Sequence, residues 1–190
     1  MRAVTAGAVM TREGGEMGTV NIDAAAIGGM VENALAFSAQ KARLQDGEDS
    51  VKAIQGGDCV TCGYLKYGLC KGIGEYLGSI DDSVRAVYAY EPDYCTGAHH
   101  LDGRARAGER GINLVVSVDH RSAALTSIVA SLEDAVREGV KPLICSKANG
   151  SCYALDVKVA DAEEVASRRG YGALISSLYA APLRVWARGG

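Results

Sequence analysis

The segment Gly56-Gly57-Asp58-Cys59-Val60-Thr61-Cys62 carries the residue types and spacing best suited to chemistry in this chain. A C-x-x-C just inside a helix N-terminus sets both sulfurs on one face, beside the positive end of the helix dipole and unpaired N–H groups. That environment favours thiolate. It serves a redox pair and, equally, half of a zinc site. Cys70 is not expected as a further ligand. At 1.5 Å rise per residue it lies roughly 12 Å along the axis from Cys62, whereas zinc holds sulfur at about 2.3 Å. A zinc on Cys59 and Cys62 would draw its other ligands from Cys95, His99 or His100. The alternative reading makes Cys62 a core residue and Cys59 a thiol at the start of the helix.

Residues 93–110 form the richest polar stretch. Arg104, Arg106 and Arg110 follow His99, His100 and Asp102 there, and suit a phosphate or an acidic partner. Tyrosine is over-represented, with nine Tyr against one Phe and one Trp. Tyr offers apolar area with a polar tip, which fits a wet interface or a pocket lining. Tyr88 and Tyr90 stand out, with Tyr64, Tyr67, Tyr76 and Tyr94 as further members of such a surface.

Other groupings carry less. Glu91-Pro92-Asp93 with Asp156-Val157-Lys158 resembles the acidic-lysine pattern of Mg²⁺-dependent nucleases. The second half normally follows on the next strand of a hairpin, but here a strand and a long helix intervene. Asp119-His120-Arg121-Ser122 is explained by helix capping. Gly72, Gly74 and Gly78 miss the dinucleotide-loop spacing, and no strand precedes them. Cys145 and Cys152 flank a turn around Asn149-Gly150. Across a hairpin they would face one another in reach of a disulfide, with two buried thiols the favoured reading in a reducing compartment.

These residues need elements to position them. Asp23 is placed to cap a helix reaching Leu44, with Ile27, Met30, Val31, Leu35 and Phe37 as its apolar positions. A second helix is expected from Asp58 to Leu77. Gly68 and Gly72 give it a small-residue face on which the first helix can pack closely as an antiparallel hairpin. The period then changes to alternation. Strands are predicted at Val84–Tyr90, Ile112–Val118, Pro142–Cys145, Tyr153–Val159 and Leu183–Trp186. The main amphipathic helix should start at Asp119 or Ser122 and end at Gly139, with Leu125, Ile128, Val129, Leu132 and Val136 on one face. Asp161 should cap a short helix, and part of 171–181 reads as helical. The fold expected is α+β: an N-terminal helical hairpin (23–80) packed on a mixed sheet of four or five strands with one main helix (83–190), in a single domain over 23–190.

Composition narrows the rest. The 190 residues are 48% hydrophobic and 23% charged, with net charge -3, which excludes collagen-like, disordered and coiled-coil chains. A pI of 5.6 argues against a nucleic-acid coat. No run of about 18 apolar residues suggests a membrane span. Residues 1–22 read as a flexible tail without a secretory core. Glu13-Gly14-Gly15-Glu16 is what a purine-rich ribosome-binding site encodes when translated, so a prokaryotic gene starting at Met17 is expected. The expected location is the cytoplasm.

The leading functional expectation is a non-enzymatic binding or oligomerisation module that self-associates or takes a protein partner, without membrane or nucleic acid. The second is a thiol-dependent protein, redox or zinc-binding, built on Cys59 and Cys62. The third is a Mg²⁺-dependent phosphodiesterase using Glu91, Asp93, Asp156 and Lys158.

Overall fold

The protein is described from a computed structural model that covers residues 22–90, 111–144, 155–177 and 182–189. Three helices come first: α1 (Ala24–Ala42), α2 (Gly47–Gln55) and α3 (Cys59–Ile80). Each starts on an aspartate whose carboxylate accepts a first-turn N–H: Asp23 from Ala25, Asp46 from Asp49, and Asp58 from Val60. These satisfy donors that a helix start leaves unpaired.

Glycine decides how α1 meets α3. A Cβ on Gly68 would stand 3.0 Å from Ala34 Cα, and one on Gly72 would stand 2.7 Å from Met30 Cγ. The partners run in opposite directions, 30 with 72 and 34 with 68, so the two helices form the antiparallel hairpin expected from the sequence. Phe37 stacks on Tyr67 at 5.6 Å and meets Tyr64 edge-on at 6.4 Å further along the same seam.

Helix α2 lies between the two helices expected from the sequence, where no helix is predicted. Asp46 caps it, and Ser50 and Ile54 turn inward. Ser38 and Ser50 are both buried, and their hydroxyls bond at 2.9 Å, tying α2 to α1.

A four-stranded mixed sheet follows, in the order β3-β2-β1-β4. The strands are β1 (Val84–Tyr90), β2 (Ile112–Val118), β3 (Leu155–Asp161) and β4 (Leu183–Ala187). β1 is antiparallel to β2 and β4, and β2 is parallel to β3. Helix α4 (Ala123–Ile144) makes the parallel crossover. Ser122 caps it, its hydroxyl accepting from Leu125 N at 3.0 Å, whereas Asp119 instead pairs with Arg85.

Two expectations about this half are corrected. The main helix does not end at Gly139, because Val140, fully buried, extends the apolar stripe one turn further. Residues 142–144 are therefore the last turn of α4 and not a strand. The hairpin expected to bring Cys145 to Cys152 thus loses its first arm; both cysteines lie outside the described residues.

Trp186 on β4 lies across α3. A Cβ on Gly74 or Gly78 would stand 2.5 Å or 2.3 Å from it, so α3 offers one glycine pair to α1 and a second to the sheet. Arg188 closes the joint, donating to the carbonyls of Gly78, Asp81 and Val84 at 2.8–2.9 Å. Below these helices Val87, Leu114, Val116, Leu155 and Val157 complete the core with Leu69, Ile73 and Leu132.

Helices α5 (Ala162–Ser167) and α6 (Gly172–Ile175) follow β3. Asp161 caps α5 as expected, accepting from Glu164 N at 2.9 Å. Gly172 lets α6 sit directly on the backbone of Glu164 and Val165.

Candidate functional site

The pairing register sorts the sheet into two faces. Val87, Ala89, Leu114, Val116 and Val157 turn toward α3 and α4. The alternate residues turn the other way. Tyr90 lies beside Asn113, and Asn113 beside Asp156. In the next row Arg184, Tyr88, Val115 and Lys158 follow one another across all four strands.

On this second face is a cleft of about 220 Å³. Tyr90, Asn113 and Val115 line it from β1 and β2, Asp156 and Lys158 from β3. Tyr171 and Leu174 line it from α6 and the residue before it. Alternation in three strands and the close seat of α6 on α5 thus converge on one place.

Its polar groups have defined states. Lys158 Nζ donates to Asp156 Oδ1 at 2.6 Å and lies 5.9 Å from the centre of the Tyr171 ring. The hydrogen bond to Asp156 raises the Lys158 pKa, holding it as an ammonium. Burial pushes the Tyr90 phenol up to about 12, with a smaller contribution from Tyr88. The Tyr90 hydroxyl is buried and has no hydrogen-bond partner among the described residues. Leaving such a group unpaired costs roughly 1–3 kcal/mol. Tyr171 and Leu174 are large apolar side chains left 40% and 37% exposed at the rim.

Glu133 supports β3 from α4. Its carboxylate accepts the Val157 N–H at 2.5 Å, pairing a donor on an edge strand. Burial raises its pKa above the usual carboxylate value, with Asp156 adding to the effect, against the lowering by the Val157 bond.

The other sequence-derived candidates are placed as follows. Cys59 is the first residue of α3 and Cys62 packs against the core one turn on, both partly exposed. α3 stays helical through residue 80, so Cys70, buried in the core, is kept apart from them as the helical rise requires. Cys95, His99, His100, Arg104, Arg106 and Arg110 lie outside the described residues, as do Glu91 and Asp93. Among the described residues no group of three or more His, Cys, Asp or Glu could hold a metal ion, and no helix is long and apolar enough to cross a membrane.

Of the tyrosines singled out from sequence, Tyr90 reaches the cleft and Tyr88 lies in the adjacent row of the same face. Asp156 and Lys158, read from sequence as half of a nuclease pattern, pair with each other at its wall. Asn113, Tyr171 and Leu174 were not anticipated. Asn113 had a signal, as the polar residue alternating with Ile112 and Leu114. Tyr171 and Leu174 had none, because the seat of α6 depends on the tertiary contact at Gly172. Comparison with known proteins adds no relative: no protein-family model, no curated protein and no solved structure matches this chain.

Proposed function

We propose that the protein is a non-enzymatic binding module whose ligand site is the cleft on the sheet face opposite α3 and α4. The observation that carries this reading is the Tyr90 hydroxyl, buried at the cleft wall and without a hydrogen-bond partner among the described residues. A buried polar group in a folded protein normally has a partner. An acceptor brought by a ligand, with a small side-chain shift in the wall, supplies one.

Two further facts favour binding over catalysis. Tyr90 stays a phenol and Lys158 an ammonium at neutral pH, so both donate hydrogen bonds and neither is a general base near its working range. The rim carries exposed apolar surface next to these convergent polar groups, the usual make-up of a small-molecule site.

The test is ligand-observed NMR of the folded protein against a library of small polar molecules, repeated with Leu174→Arg to obstruct the rim. Binders lost in the variant support the reading. A library without binders, or binders indifferent to the variant, contradicts it. Self-association belongs to the same proposal and is tested by light scattering over a concentration series, where a strict monomer removes it.

The thiol reading keeps one specific observation in its favour, the placement of Cys59 and Cys62 in the first turn of a 22-residue helix. A metal assay with a parallel thiol titration on protein purified without chelator decides it. Bound zinc or iron, or a fast-reacting pair, supports it; two inert thiols without metal remove it.

A further inference from the structure

The cleft presents one negative and one positive group side by side, which restricts the charge of what it can hold. We infer, on the binding-module reading above, that the cleft takes a small zwitterion of the α-amino-acid class with an apolar side chain, its ammonium toward Asp156 and its carboxylate toward Lys158.

Asp156 and Lys158 are neighbours at 2.6 Å and are both about two-fifths exposed. Asp156 uses Oδ1 for this contact, and a carboxylate has a second acceptor oxygen in Oδ2. An ammonium has three donors, and one of those of Lys158 goes to Asp156. Each partner therefore has capacity left on the side away from the other. A ligand carrying both charges a few ångströms apart can align against this ion pair, like charges apart and opposite charges together.

A ligand with one charge gains at one partner and is repelled by the other. The surroundings do not tip the balance toward anions, because Glu133 adds negative charge near the same pair. The buried Tyr90 hydroxyl has no acceptor among the described residues, and after a small side-chain shift a carboxylate oxygen provides one. The exposed flanks of Tyr171 and Leu174 offer apolar surface for a side chain. A volume of about 220 Å³ has room for a molecule of leucine's size.

Isothermal titration of the full chain with L-leucine, N-acetyl-L-leucine and L-leucinamide separates the charges. The zwitterion is expected to bind roughly tenfold or more tightly than the acetylated anion or the amide cation, since a charged hydrogen bond is worth at least that ratio. Asp156→Asn should shift preference toward N-acetyl-L-leucine, and Lys158→Met toward L-leucinamide. Such opposite shifts cannot come from misfolding. Equal binding of all three probes, or tighter binding of a singly charged one, overturns the zwitterion inference and leaves the binding-module reading standing. Failure of all three probes overturns the inference as well, and the library screen with Leu174→Arg then decides the broader reading on its own.

Discussion

Tyr90 and Glu133 show how single side chains set the properties of this sheet. The Tyr90 hydroxyl is buried without a partner among the described residues, so Tyr90→Phe, which removes only that oxygen, should raise stability by about 1 kcal/mol in denaturant titrations. Its ionisation has a defined sign. With the folded phenol raised from 10 to about 12, its contribution is whole below pH 10 and is lost as pH climbs toward 12. Tyr90→Phe should therefore remove part of the alkaline loss of stability, measurable by melting between about pH 9 and pH 12. Glu133 behaves as an edge clasp. Glu133→Ala strands the Val157 N–H and should cost about 1–3 kcal/mol. Glu133→Gln keeps an acceptor without the half-buried charge and should stay within roughly 0.5 kcal/mol of the parent. Equal losses in both variants would show that the clasp is not the hydrogen bond.

The glycines distinguish packing from propensity at the scale of elements. Gly74 and Gly78 meet Trp186 at distances no Cβ tolerates. Either changed to Ala should destabilise by about 1–3 kcal/mol through overpacking, although Ala is the better helix former. Gly28 and Gly63 lie inside α1 and α3 with nothing within 4 Å of a built Cβ. Gly28→Ala and Gly63→Ala should stabilise by about 0.5–1 kcal/mol. Thermal melts of the four variants test the contrast, and a uniform response would contradict this packing of α3.

The same elements show what could be read from sequence. The hairpin of α1 and α3 was legible because Gly68 and Gly72 repeat at helical spacing, and β1, β2 and β4 because alternation is local. Helix α2 was hidden because its two inward residues, Ser50 and Ile54, give too weak a stripe in a charged run. The end of α4 was misplaced because burial of Val140 outweighs the local cost of Gly139. Of the cleft, Tyr90, Asp156 and Lys158 were singled out individually, but their meeting was not visible. It depends on the parallel register of β3 with β2, a contact across a helix that no local pattern encodes.

At the scale of the molecule, α3 and α4 gather on one face of the sheet, while among the described residues Tyr171 and Leu174 wall the cleft on the other. The rigid side positions the strands, and the strands position the polar row of Tyr90, Asn113 and Asp156 with Lys158 behind it. Amide-resolved NMR of the wild-type chain, titrated with L-leucine and the best binder from the small-molecule library, tests this division most directly. The account predicts shift changes centred on Tyr90, Asn113, Asp156, Lys158 and Tyr171, with α1 and the first turn of α3 unmoved. Changes centred on Cys59 and Cys62, or none along the cleft at saturating ligand, would contradict it.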